Sequence, residues 1–232
     1  MKIISNDKLI KRNNRIGQIA SIGSLIILGV GMFFSFKDTA GTYMTLTFTS
    51  LIVGFILFQV GNYYLNRWGK SPRPDEILSQ SLKGLDDHYT LYHYATDIPH
   101  LLVGPAGVFS LLPYSQAGTL FFDTKKKQWK QRGGNVFLKA FAQEGLGHPE
   151  TEANYNTEQL EKYLLKIGVG TEQAKGTSLI VFTNPKATVE GEGSPAAFVT
   201  ADKLKDYMRK QAKEKSLNTD SILALINQKK KA

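Results

Sequence analysis

Two uncharged apolar runs near the N-terminus constrain this chain more than any other feature. The first, IGQIASIGSLIILGVGMFFSF, covers residues 16–36, and the second, YMTLTFTSLIVGFILFQVGNYYL, covers 43–65. About 20 apolar residues suffice for a helix to cross the hydrocarbon core of a bilayer, and a helix satisfies its own backbone polar groups there. Both runs are therefore expected to be transmembrane helices. The first is not expected to be a cleaved leader, because its apolar stretch is long and no small-residue cleavage pattern follows.

Residues 37–42, KDTAGT, form a short polar connection, so the two spans should run antiparallel as a hairpin. The net charge of +9 is distributed unevenly. Residues before 16 carry +4, Arg67, Lys70 and Arg73 add +3, and Lys229, Lys230 and Lys231 add another +3. Positive charge thus flanks the open end of the hairpin and not its turn. By the positive-inside rule, both termini are expected in the cytoplasm and the turn outside it, in a two-span protein of the cell membrane. Tyr63, Tyr64 and Trp68 fall where an interfacial aromatic belt is expected. Small residues recur four apart at Ala20 and Ser24, and at Ser50 and Gly54, a spacing that permits close helix approach. With two spans and no ionisable residue at their centres, a channel or carrier is not expected.

The rest of the chain, residues 74–228, sums to −1, which argues against a broad phosphate-tracking surface on the body of the protein. There is no cysteine, hence no disulfide framework, thiolate nucleophile or cysteine-based zinc site. The organisation reads as a basic N-terminus (1–15), first span (16–36), turn (37–42), second span (43–65), basic proline-containing linker (66–73), folded domain (74–213), and a C-terminal helix with a lysine tail (214–232). Within the domain, DEILSQSLKGL reads as a helix. YTLYHYA, HLLVG and GVFSLL read as strands, with GPAG as the turn between the last two. GTLFFD and QWKQR suggest a hairpin around TKKK. NVFLKAFAQEGL is ambiguous between strand and helix. NTEQLEKYLLKIG and ADKLKDYMRKQA read as amphipathic helices, SLIVFT and AAFVT as strands, and TDSILALINQ as a terminal helix. The expected fold is α/β or α+β, a mixed sheet flanked by helices.

The order of helix, strand and then DIPHLLVGPAGVFSLLPYSQAGTL resembles the nuclease-related domain (NERD), a branch of the PD-(D/E)xK nuclease-like superfamily. LIVFTNPKATVE followed by ADKLKDYMRK extends the likeness, which covers about residues 74–213. The resemblance implies a restriction-endonuclease-like fold. It places the family's metal-binding Asp on Pro99, its Glu on Leu112 and its Lys on Tyr114. His100, Gly104-Pro105 and Gly107-Val108-Phe109 are retained, and Glu76 stands where the family has a helical acid. Metal-dependent phosphodiester hydrolysis needs hard oxygen ligands and a charge near the attacking water or phosphate. Proline and leucine supply neither, and a neutral phenol does not replace an ammonium. The resemblance therefore implies a degenerate site with no catalytic residue, metal or cofactor, in a membrane-anchored interaction or scaffolding module with a protein partner. The alternative is a membrane-tethered metal-dependent nuclease or nucleic-acid binder, using Glu76 with Asp97, which would face the same way as Pro99 on an extended strand.

Other motifs carry less. TKKKQWKQR (124–132) mixes lysines with one aromatic, as single-strand binders do, but also reads as a solvated hairpin tip or a headgroup contact. His88, His93, His100 and His148 lack zinc-ligand spacing, and His88 and His93 would face opposite sides of one strand. No phosphate-binding loop or nucleophile elbow occurs.

Overall fold

The computed structural model describes residues 1–37, 41–133, 145–172, 174–215 and 217–229. It divides into two units, one comprising Asp7–Arg73 and the other Met1–Asn6 with Pro74–Ala232.

The helical unit is a hairpin of α1 (Asp7–Lys37) and α2 (Met44–Tyr64), extended by a π-helical turn over Leu65–Gly69. Both helices are long and apolar enough to cross a membrane. At 31 residues α1 is about 46 Å long, so most of the basic segment before residue 16 is its first turns. Asp7 in the first turn and Lys37 in the last complement the helix dipole. The seam is built of small residues. A Cβ at Gly31 would lie 2.6 Å from that of Ser50, and one at Gly54 would lie 2.6 Å from Leu28 Cγ. The outward side is the reverse, with Ile22, Leu25, Phe33, Ile52 and Phe55 more than half exposed. An apolar exterior around a small-residue seam is what lipid solvation demands of a helix pair.

The second unit is built on a six-stranded mixed sheet. Its strands are β1 (Lys2–Ser5), β2 (Thr90–His93), β3 (His100–Gly104), β4 (Gly107–Tyr114), β7 (Thr177–Phe182) and β9 (Phe198–Thr200), neighbours in that order. The outer pairs β1/β2, β4/β7 and β7/β9 are parallel, while β2, β3 and β4 form an antiparallel meander. β1 precedes the hairpin in sequence, so the expected basic N-terminus 1–15 is in fact an edge strand followed by the start of α1. A second sheet has the order β6-β5-β8, from β5 (Gly118–Asp123), β6 (Gln128–Arg132) and β8 (Ala187–Glu190).

Strand alternation sorts side chains onto two faces of the main sheet. Leu91, Leu102, Phe109 and Leu179 meet Leu78 and Leu82 of α3 (Pro74–Ser81), and Leu204 and Met208 of α5 (Leu204–Glu214). Tyr92, Leu101 and Val103 meet Leu160 and Leu164 of α4 (Pro149–Lys166), and Ile222 and Ile226 of α6 (Asp220–Lys229). A third cluster joins Trp129, Phe182, Leu120 and Leu112 at the small sheet. The arrangement is α+β: helices on both faces of a mixed sheet. The ambiguous segment NVFLKAFAQEGL lies almost wholly outside the described residues.

Candidate functional site

Of the positions on which the resemblance's acids fall, Pro99 lies in the bend that precedes β3, and Leu112 lies on β4, where it pairs with Ile180 of β7. Neither offers a ligand. The Pro99 carbonyl accepts the Tyr94 N–H at 2.7 Å, and Leu112 is buried in the third cluster. Tyr114, two residues further along β4, is buried in the same cluster and donates its hydroxyl to the Glu152 carboxylate of α4. Burial first, then the Glu152 bond and charge, push the phenol well above its ordinary value and keep it neutral. The other acid of that first turn, Glu150, accepts the Trp129 N–H at 3.2 Å and lies 3.4 Å from His148 Nδ1. Both acids sit at a helix N-terminus, where negative charge is stabilised.

The glycines of the turn between β3 and β4 have a packing explanation. A Cβ on Gly104 would stand under 3.0 Å from three ring atoms of Tyr89, and Gly107 has φ 119, a conformation that L side chains rarely adopt. Pro105 and Ala106 complete the turn between the two strands.

Asp97 is not on an extended strand. The segment between β2 and β3 bends, and Thr96 Oγ1 bonds both the carbonyl and the N–H of Ile98, replacing ladder geometry with a local side-chain turn. Asp97 instead points to Lys166 of α4, 2.9 Å away, with both side chains more than half exposed. The bond and charge of Asp97 raise the Lys166 ammonium above its ordinary value. The two residues border a cleft of about 380 Å³ together with Pro99, Tyr155, Gln159 and Lys162. Lys229 of α6 lies 5.5 Å from the centre of the Tyr163 ring, which also lines this cleft. Glu76, by contrast, is carried by α3 on the opposite face of the sheet. Among the described residues, no group of three or more His, Cys, Asp or Glu side chains is placed to hold a metal ion.

The basic hairpin is a hairpin, but its aromatic residue is not presented to solvent. Trp129 is 3% exposed and packs against Phe182 and Phe198, so it offers no stacking platform. Asp123 Oδ1 accepts the N–H groups of Lys125 and Lys126, while its other oxygen pairs with Lys130 at 2.6 Å. Lys125, Lys126 and Lys127 are exposed.

Of the histidines, His88 and His148 are exposed, each 3.4 Å from an acidic oxygen (of Asp86 and Glu150). His88 precedes β2, so the expectation that it shares a strand with His93 fails; a bonded turn from Asp86 holds it. His93 and His100 are register partners on β2 and β3, buried, and joined Nδ1 to Nδ1 at 2.9 Å. Sequence spacing did not suggest this pair, although the strand–bend–strand pattern was the signal from which it could have been found.

No family model, curated protein or solved structure matches the chain. The class that fold and chain order define is an α+β domain bearing two N-terminal helices fit to cross a membrane.

Proposed function

We propose that the protein is a membrane-anchored, degenerate nuclease-related domain with a restriction-endonuclease-like fold, acting on the cytoplasmic face as an interaction or scaffolding module for a protein partner. The observation that carries this reading is the chemistry at these positions: Pro99 has no side-chain oxygen, Leu112 is buried in an apolar cluster, and Tyr114 is neutral and bonded to Glu152. On this reading, apolar packing stands where the resemblance would put the ligands of a divalent cation. Two helices flanked by positive charge supply the anchor and the orientation.

One observation favours a second reading, binding of nucleic acid without cleavage. The cleft beside Pro99 carries Lys162 and Lys166 and the 60%-exposed ring of Tyr155, a pairing of positive charge and aromatic surface suited to single strands. A plasmid-nicking assay on the detergent-solubilised chain with magnesium or manganese tests the main reading. No metal-dependent nicking is expected, and nicking abolished by Asp97→Ala would overturn it. Salt-dependent retention of single-stranded DNA without cleavage, lost in Lys162→Ala, would select the second reading.

A further inference from the structure

The cleft between the bend after β2 and the helix α4 has a chemistry that the degenerate-nuclease reading does not use. Its volume, about 380 Å³, lies at the lower end of the roughly 300–1,000 Å³ common for small-molecule sites. One wall is a single face of α4. Tyr155, Gln159, Lys162 and Lys166 recur there three or four residues apart, so their side chains lie one above another along the helix.

The order along that face defines a ligand. At one end Lys162 and Lys166 are exposed one turn apart, and Lys229 of α6 brings a third ammonium to 5.5 Å from the centre of the Tyr163 ring, which also lines the cleft. At the other end the Tyr155 ring is 60% exposed. Between them lies the Gln159 amide, which offers both donors and an acceptor. Among the described residues the Lys162 ammonium and the Gln159 amide are unpaired, whereas Lys166 is held by Asp97 at 2.9 Å. Tyr155 and Lys162 are separated by about 10 Å of helix rise, the reach of a nucleotide from its base to its phosphates. A polynucleotide would need positive charge that continues beyond one site. Here Glu158 and Glu161 flank the lysines on α4, Asp97 stands across the cleft, and residues 74–228 sum to −1. The positive charge is confined to a patch the size of one ligand, so the ligand has to end within it.

We propose that this cleft binds a mononucleotide, with Lys162 and Lys166 on its phosphates, the Gln159 amide on the polar edge of its base and the Tyr155 ring stacked on the base. The site does not rest on the degenerate-nuclease reading. It differs from the single-strand reading of the same cleft in the length of the ligand, which is one nucleotide and not a chain.

The test is equilibrium dialysis of the full-length, detergent-solubilised protein against ADP and UDP, with inorganic pyrophosphate and an oligothymidylate of about 12 nucleotides as comparators. The expected result is saturable binding of ADP, UDP or both, weakened about 10-fold or more in Lys162→Ala and in Tyr155→Ala and retained in Tyr155→Phe, which keeps the ring face. Both side chains are exposed, so an unchanged melting temperature separates lost binding from lost fold. Asp97→Ala should tighten binding by up to about 5-fold, because it releases Lys166 and removes a negative charge from the cleft. Absence of saturable binding of either nucleotide up to about 1 mM would overturn the proposal. Pyrophosphate bound as tightly as the nucleotides, or binding indifferent to Tyr155→Ala, would reduce the site to a cluster of cations and refute the role of the base. An oligothymidylate bound more tightly than either nucleotide would refute the proposal in favour of the single-strand reading. The nicking assay is independent of all these outcomes, so failure here and failure of the main reading are told apart.

Discussion

Ile3 and Leu91 are partners in a parallel ladder, although both long apolar helices lie between them in the chain. A strand that precedes α1 is thus part of the sheet that follows α2. If the helices cross a bilayer, one sheet cannot be split across it, so the N-terminal strand and the domain occupy the same side. A shared side for the N-terminal strand and the domain is also what the positive-inside rule leads one to expect.

The edge strand should also contribute to stability. Ile4 packs partly against the cluster around Tyr92 and Leu101, whereas Ile3 is 47% exposed. Ile4→Asp should cost about 1–2 kcal/mol of apolar burial, read as a lowered melting temperature in detergent. Ile3→Thr should stay within about 0.5 kcal/mol of wild type.

The hairpin seam predicts a sharp contrast among glycines. A Cβ at Gly61 would stand 2.8 Å from the Ser21 backbone nitrogen, while one at Gly23 or Gly29 meets nothing within 4 Å. Gly61→Val should push the helices apart at a cost of about 1–3 kcal/mol, and Gly23→Val should be silent. Cysteines introduced across the seam should crosslink less readily in the first variant and normally in the second.

Buried phenols predict alkaline sensitivity. Burial, followed by the Asp97 charge, raises Tyr163 from 10.0 to about 12. Between those values the unfolded chain has lost the phenolic proton and the folded chain keeps it, so the unfolded state binds fewer protons and stability falls as pH rises. The melting temperature should decline from pH 10 to about 12, and Tyr163→Phe should flatten part of that decline.

The Asp97–Lys166 pair should matter little to stability, because both partners are more than half exposed. Asp97→Ala should change it by less than about 1 kcal/mol. Manganese should leave the melting temperature of wild type and variant unchanged; a shift in wild type alone would mark Asp97 as a ligand.

How much was legible in the sequence follows from the length of each signal. The two helices were plain because an uncharged run of 21 or 23 residues has few other fates. The meander was legible because GPAG separates two apolar runs at hairpin distance. β1 was not, because four residues, KIIS, ahead of a basic segment carry no periodicity of their own; the strand exists only through its pairing with β2. β8 was missed for the same reason, ATVE being a short edge strand paired with β5 among the described residues. At the site, the identities at 99, 112 and 114 were readable residue by residue, but their surroundings were not. The Tyr114–Glu152 bond spans 38 positions, and Asp97 was misplaced because the Thr96 turn overrides extended geometry. The histidine pair needed the strand register, which no local pattern in the sequence fixes.

The most direct test of the central claim is thiol accessibility in intact cells. The sequence has no cysteine, so single substitutions Ile3→Cys, Thr42→Cys and Lys126→Cys each report one site. With a membrane-impermeant maleimide, Thr42→Cys should label from outside, while Ile3→Cys and Lys126→Cys should label only after permeabilisation. Labelling of Ile3→Cys and Lys126→Cys from opposite sides, or of Thr42→Cys from the same side as both, would contradict the account.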